Sequence, residues 1–178
     1  MMSRIASKLA AAAAALLVCS TPALAHITLA TTEAEVGATF RAILVVGHGC
    51  EGEATTSIRV QIPEGFYNVK PMPKPGWEVT SVTGPYAKPF MNHGTELTEG
   101  VTELTWSGGN LPDSQFDEFT FRGTFGEDLQ AGSTFYFPVI QYCGDKESPW
   151  IDTSGDAEAE APAPGVVLKA GSDEHHHH

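Results

Sequence analysis

A histidine at the first position of a mature chain can chelate a metal ion, and His26 is predicted to take that position. Arg4 and Lys8 precede an apolar run over residues 9–18, and a small-x-small pattern follows, as signal peptidase requires. We therefore predict a signal peptide over residues 1–25, cleavage directly before His26, and export to the bacterial periplasm or the cell exterior.

An N-terminal histidine offers one metal ion two nitrogen donors, the α-amine and the imidazole Nδ1, in a chelate called a histidine brace. The amine has a pKa of about 8 and the imidazole about 6.5, so both can give up a proton to a metal near neutral pH. Nitrogen donors in a tetragonal arrangement favour Cu(II), which also leads the divalent affinity order. His26 therefore suggests a site for one Cu(II) per mature chain, unless it follows the signal peptide by chance.

A second group of metal-binding residue types lies in the glycine-flanked segment VGHGCEG, over residues 46–52. Glu51 offers a carboxylate oxygen, and its alternative reading is a solvated turn residue. His48 has three readings: a metal ligand, a hydrogen-bond partner that orients a ligand, or an ordinary turn histidine. The sequence leaves these alternatives open.

The cysteines of the predicted mature chain are Cys50 and Cys143. Because an exported protein meets an oxidising compartment, we expect them to form one disulfide; a pair of thiolate metal ligands is the alternative. A disulfide would bring the segment that follows Cys143 toward residues 46–52. Trp150 could then cover the metal with its indole, or it could be a core residue like most tryptophans.

Alternation of apolar and polar residues predicts strands along the mature chain, and no stretch shows the 3.6-residue period of a helix. Glycine, proline, asparagine and aspartate clusters separate these strands at short intervals. The predicted strands are residues 38–46, 56–62, 77–82, 102–106, 118–125 and 134–141. The pattern indicates an all-β fold, an antiparallel β-sandwich of immunoglobulin or fibronectin type, with a barrel as the alternative.

Three further segments complete the predicted organisation. Residues 70–76 (KPMPKPG) predict an extended loop or sheet edge, because prolines cannot donate to a regular ladder. The acidic, Ala/Pro-rich residues 152–164 predict a mobile loop, and residues 165–170 a last strand. The domain then spans residues 26–170, and residues 171–178 form a disordered His-ending tail, either native or the remnant of a tag.

The charge of the chain excludes some classes of partner. There are 10 Lys and Arg residues against 22 Asp and Glu, a net charge of −12. Loss of the signal peptide removes two basic residues, which leaves 8 against 22, or −14. This charge argues against nucleic acid and anionic membranes as partners. No later segment approaches the roughly 20 apolar residues of a membrane span, so we expect no transmembrane segment after cleavage.

Taken together, these segments resemble the YcnI-like family of exported copper-binding proteins over most of residues 26–170. The HGCEG and KPMPKPGW strings are specific. The residues that carry the resemblance are His26 after the signal peptide, His48–Gly52 (HGCEG), Val60–Gly65 (VQIPEG), Lys70–Trp77 (KPMPKPGW), Cys143 and Trp150.

The resemblance implies a β-sandwich that binds Cu(II) through a monohistidine brace. By position, the ligands would be the amine and imidazole of His26 and the carboxylate of Glu51, with Trp150 beside the ion. It also implies a role in copper homeostasis as a metallochaperone or copper buffer. The partner would be a periplasmic copper chaperone or a membrane copper transporter.

Two other function classes remain as alternatives. A copper-dependent oxidative enzyme would need a second brace histidine, from His48 or His93, and a carboxylate with a tryptophan is a different ligand set. A metal-independent interaction module would make the position of His26 incidental. No GxSxG or HExxH motif is present. We therefore expect a binding protein rather than an enzyme.

Overall fold

The computed structural model describes residues 26–171, so the predicted signal peptide and residues 172–178 of the tail lie outside the described residues. No helix in this part of the chain is long and apolar enough to cross a membrane. The strands are β1 (Thr28–Leu29), β2 (Glu33–Glu35), β3 (Thr39–Val46), β4 (Thr55–Gln61), β5 (Phe66–Pro71), β6 (Glu78–Asn92), β7 (Thr95–Leu111), β8 (Asp117–Phe125), β9 (Thr134–Tyr136), β10 (Val139–Cys143), β11 (Lys146–Trp150) and β12 (Gly165–Lys169).

The strands form three sheets, with the orders β1-β3-β8-β5, β11-β10-β4-β7-β6 and β2-β12-β9. Every named pair is antiparallel except β2 with β12, which is parallel. The predicted all-β sandwich is confirmed.

Alternation along the strands explains why the two larger sheets pack face to face. In β3, Ala42, Leu44 and Val46 are fully buried, whereas the residues between them are exposed or half-buried. Trp106, from the five-stranded sheet, contacts Phe119 of the four-stranded sheet with ring centroids 5.8 Å apart. Fully burying one such large side chain stabilises the fold by roughly 1.5–3 kcal/mol, so these inward faces hold the sandwich together.

The hairpin of β6 and β7 is much longer than the sequence predicted. Alternation predicted only residues 77–82 and 102–106, but the strands run over Glu78–Asn92 and Thr95–Leu111. Most of the outer half of the hairpin is exposed, so burial imposes no apolar pattern on it. Because β6 is a sheet edge, it tolerates its prolines, and the register shifts between Pro85 and Phe90.

The turn of this hairpin contains His93. His93 and Gly94 are the two residues between the strands, with φ values of 49° and 81°. Two successive positive φ values are typical of the type I′ turn, whose twist matches that of the flanking strands. His93 is therefore part of a tight turn.

The predictions for residues 70–76, 152–164 and 165–170 have different outcomes. Residues 70–76 begin in β5, which is the edge of its sheet, and continue as a loop, as predicted. Residues 165–169 form β12, so the last strand is also confirmed. The acidic stretch over residues 152–164 contains no named strand, but a parallel bridge joins Asp152 to Pro162. Sequence alternation also missed β1, β2, β5 and β11, which are short or carry charged residues.

Candidate metal site

A disulfide joins the segment after β3 to the end of β10. Cys50 and Cys143 have Cα atoms 5.7 Å apart and an S–S bond of 2.09 Å. The predicted pairing is confirmed, and the alternative of two thiolate metal ligands is wrong. The bond brings residues 46–52 to the β10–β11 hairpin, whose last residue is Trp150.

The turn at Cys50 is closed by its own backbone. The amide of Cys50 donates to the carbonyl of Glu53 at 3.1 Å, and the amide of Glu53 donates back at 3.0 Å. The central residues, Glu51 and Gly52, have φ values of 50° and 85°. A Cβ on Gly49 would lie 1.7 Å from the carbonyl oxygen of Glu53, so only glycine fits there. The HGCEG string is therefore first of all a turn with strict backbone requirements.

His26 and Trp150 lie against each other. Their ring centroids are 5.5 Å apart and the rings meet at 72°, an edge-to-face contact. Trp150 is 7% exposed and belongs to the core. The Nε2 atom of His26 is buried and has no hydrogen-bond partner among residues 26–171. Leaving a buried polar atom unpaired costs about 1–3 kcal/mol, so the ring lies against Trp150 at some cost in stability.

A buried glutamine connects Trp150 to the turn at His48. Gln141 is 2% exposed, and its Oε1 accepts a hydrogen bond from the indole Nε1 of Trp150 at 3.2 Å. Its Nε2 donates to the carbonyl oxygen of His48 at 2.7 Å and to Oγ1 of Thr55 at 2.8 Å. Sequence reasoning missed Gln141. The available signal was a polar residue at an inward position of a strand, where burial requires partners.

Nδ1 of His48 faces two oxygen atoms. It hydrogen-bonds the carbonyl oxygen of Gly49 and lies 3.8 Å from Oδ1 of Asp113. A carbonyl only accepts, so Nδ1 is the donor in this contact and Nε2 points to neither oxygen. Metal-binding histidines have this arrangement, with one nitrogen tied to an oxygen and the other left for the metal.

Glu51 lies on the outside of the turn. Its side chain is 81% exposed, and its carboxylate is 3.0 Å from Nζ of Lys146. This hydrogen bond raises the pKa of Lys146 above its ordinary value. Lys146 is the first residue of β11 and Trp150 the last. A separation of four strand residues corresponds to about 13 Å, so the structure places the Glu51 ion pair at the opposite end of β11 from the contact with His26.

The predicted site residues are thus brought together only in part. His26 touches Trp150, and Gln141 links Trp150 to the backbone of His48, whereas Glu51 is paired with Lys146. Within residues 26–171, no three His, Cys, Asp or Glu side chains are grouped so that they could hold a metal ion. A metal site here would therefore need a donor that this set does not include, such as the α-amine that the predicted cleavage before His26 would create.

Fold and site together define an immunoglobulin-like β-sandwich with one disulfide and a buried polar network beside His26. A family model matches residues 26–168, and the chain belongs to that family, DUF1775, described as a domain of unknown function. The YcnI-like proteins that the sequence resembles are members of this family.

Solved structures agree with this fold. An uncharacterized protein from Nocardia farcinica, described as having an immunoglobulin-like fold, is 24% identical, with a TM-score of 0.60; the match covers 82% of this chain and 99% of that one. This likeness shows the fold alone.

Two cohesins are more distant. The sixth cohesin of Acetivibrio cellulolyticus scaffoldin B is 12% identical with a TM-score of 0.40, over 81% of this chain and 98% of that one. The seventh ScaB type I cohesin of Pseudobacteroides cellulosolvens is 11% identical with a TM-score of 0.41, over 86% of this chain and 97% of that one. At these scores the likeness says nothing more about this chain. A search of the curated proteins finds no match.

Proposed function

We propose that this protein is an exported Cu(II)-binding protein of the periplasm or cell exterior. It buffers copper or delivers it to a periplasmic copper chaperone or a membrane copper transporter. Each mature chain binds one Cu(II) through the α-amine and imidazole of His26. The function is binding and transfer by ligand exchange, without catalysis.

The observation that carries this proposal is the position of the His26 ring. It packs against Trp150 at 5.5 Å while its buried Nε2 has no hydrogen-bond partner. Within residues 26–171, no acceptor therefore binds that nitrogen. A brace requires Nδ1 to be deprotonated, with the proton on Nε2, and no hydrogen bond in this part of the chain holds the ring in the other tautomer.

Removal of the signal peptide would create the second nitrogen donor, the α-amine of His26. In the unprocessed chain the nitrogen of His26 belongs to the peptide bond with Ala25, and an amide nitrogen is a poor ligand near neutral pH. Cleavage would turn it into an amine with a pKa of about 8, which Cu(II) can deprotonate. Copper binding would then begin only once the signal peptide has been removed.

The contacts favour His48 over Glu51 as the next ligand. The resemblance implies Glu51, but that carboxylate would have to leave Lys146 and turn toward the other end of β11. The backbone of His48 is already tied to Trp150 through Gln141, and its Nδ1, not its Nε2, makes the hydrogen bond to the Gly49 carbonyl. Glu51 remains a prediction from the resemblance, and substitution of each residue separates the two.

The charge of the chain supports a cation as cargo. A net charge of −14 over residues 26–178 raises the local concentration of cations at low ionic strength and speeds their approach. Trp150, beside the ion, would limit the access of water and reductants to one side. The opposite side would remain open for transfer to a partner.

The test is electron paramagnetic resonance of one equivalent of Cu(II) bound to protein over residues 26–171. This form starts at His26 and lacks the terminal histidines, which bind copper on their own. It is compared with the same protein carrying an acetyl group on the His26 amine. The acetyl group removes the amine from the chelate and leaves the fold unchanged, so the nitrogen-rich tetragonal signal should disappear in the acetylated protein.

His93→Ala is the matched control, because His93 lies in the β6–β7 turn, and it should leave the spectrum unchanged. An identical spectrum with and without the acetyl group would overturn the brace. Rapid peroxide production by the copper-loaded, ascorbate-reduced protein would instead support the oxidative-enzyme alternative. Full function of a protein with a blocked N-terminus would support the metal-independent module.

A further inference from the structure

Three basic side chains lie next to one another on the outer face of the four-stranded sheet. Arg41 of β3 is directly opposite Arg122 of β8, and Arg122 is also opposite Lys70 of β5. Residues directly opposite each other in a sheet project from the same face, with Cβ atoms roughly 5 Å apart. All three side chains are exposed. We call these residues the basic triad.

The basic triad stands out when the ion pairs are considered. The described residues contain eight Lys and Arg side chains, and five of them pair with a carboxylate: Arg59, Lys74, Lys88, Lys146 and Lys169. Within the same part of the chain, no ion pair is found for Arg41, Lys70 or Arg122. Because the chain has 22 acidic residues, a basic side chain without an ion pair is unexpected. Three such side chains in one cluster are more unexpected still.

This arrangement works against stability. Like charges directly opposite each other on neighbouring strands are destabilising. A sheet selected only for folding would place an acidic or neutral residue at one of these positions. The triad is what an anionic ligand would require, because the ligand would relieve the repulsion between the cations when it binds.

An apolar concavity adjoins the triad. Its volume is about 250 Å³, and Pro71, Met72 and Pro73 line it together with the three basic residues. Met72 is 54% exposed, so its side chain is accessible to a partner. Methionine adapts its shape to different apolar partners, so the apolar lining of this concavity suits one inserted apolar side chain.

We propose that the basic triad and this concavity form a docking site for a short acidic segment of a partner protein. Carboxylates of the segment pair with Arg41 and Arg122, and one apolar side chain seats against Met72. A long polyanion or an anionic membrane would extend beyond the triad and meet the acidic residues that dominate the surface. The site is independent of copper.

The test uses a fluorescein-labelled peptide, Glu-Glu-Leu-Glu-Glu, and follows its anisotropy with unlabelled protein over residues 26–171 in low salt. We expect saturable binding that weakens as salt rises. Arg122→Gln should raise the Kd about three- to fivefold, and Arg41→Gln with Arg122→Gln about tenfold or more. Arg59→Gln is the matched control, because Arg59 already pairs with Glu103, and it should leave the Kd unchanged.

A stability measurement separates a binding role from a structural one. If the triad is held against repulsion, Arg122→Gln should raise the melting temperature by about 1–3 °C while it weakens binding. Absence of binding at about 1 mM peptide would overturn the proposal. Equal binding of Gln-Gln-Leu-Gln-Gln would also overturn it. So would binding to phosphatidylglycerol vesicles, but not to the peptide, with the same Arg122 dependence.

Discussion

The two ends of β11 differ in burial and in the interactions that hold their side chains. At one end, Trp150 is buried, its indole is hydrogen-bonded to Gln141, and its ring contacts His26. At the other end, Lys146 makes an ion pair with the largely exposed Glu51. The first end is a fixed polar network in the core, and the second is a solvent-screened contact that rearranges at little cost.

This difference suggests a division of labour within the proposed copper site. A preorganised end can set the geometry of a ligand, because its side chains are held by packing and hydrogen bonds. An exposed ion pair contributes little to stability and can exchange partners. The His26 end would therefore determine where copper binds, and Glu51 at the Lys146 end would at most modulate release.

The largest expected effect comes from removing the covalent link between the turn and β10. Replacing Cys50 and Cys143 together by alanine should lower the free energy of unfolding by about 4 kcal/mol, because the disulfide closes a loop of 93 residues. Urea denaturation of the oxidised protein and of the double variant measures this difference. A change below about 1 kcal/mol would mean that packing alone holds the two segments together.

Gln141→Leu tests whether the buried end depends on its hydrogen bonds. The substitution leaves the indole N–H of Trp150 and the His48 carbonyl without their partner, at a cost of about 2–3 kcal/mol in urea denaturation. Gln61→Leu is the control, because Gln61 is exposed at the end of β4, and it should change stability by about 0.5 kcal/mol or less. Equal effects of the two variants would show that the network is not preorganised.

The comparison of ligands separates the two ends directly. His48→Ala should weaken Cu(II) binding about tenfold or more, as loss of a ligand or of its orienting contacts does. Glu51→Gln should change the Kd by less than about threefold, because an exposed contact contributes little to binding. Competition with a chelator of known affinity measures both. The reverse ranking would assign the third ligand to Glu51 and require its ion pair to break.

The smallest expected effect is that of Lys146→Ala. If Glu51 does not bind copper, removing its partner should leave the Cu(II) affinity within about twofold of the wild type. If Glu51 does bind copper, Lys146 competes with the metal, and its removal should tighten binding by up to about fivefold. The same chelator competition distinguishes these results, and Lys169→Ala, which breaks the Lys169–Glu33 ion pair of another sheet, serves as the control.

The parts of the fold that sequence predicted are those where burial imposes a pattern. The strands around Leu44, Ile58 and Phe121 alternate because one side of each faces the core. The outer half of the β6–β7 hairpin shows no such pattern, because most of it is exposed. Its prolines looked like breaks, and only their location on an edge strand makes them compatible with pairing.

For the candidate site, residue types were visible in the sequence and their partners were not. The pairing of Cys50 with Cys143 followed from the cysteine count and the predicted export, and the geometry confirms it. Gln141 was missed, since its importance depends on contacts with His48 and Trp150, which are 93 and 9 residues away. A one-dimensional pattern carries no information about such long-range contacts.

Length, alternation and the residues around His26 and Cys50 were enough to predict an all-β domain and its copper chemistry as a hypothesis. Only the three-dimensional packing places Glu51 beside Lys146, His48 on the Gln141 network, and Arg41, Arg122 and Lys70 side by side. The physical reason is that local residue types set strand propensity and possible ligands, whereas register and sheet order determine which side chains meet.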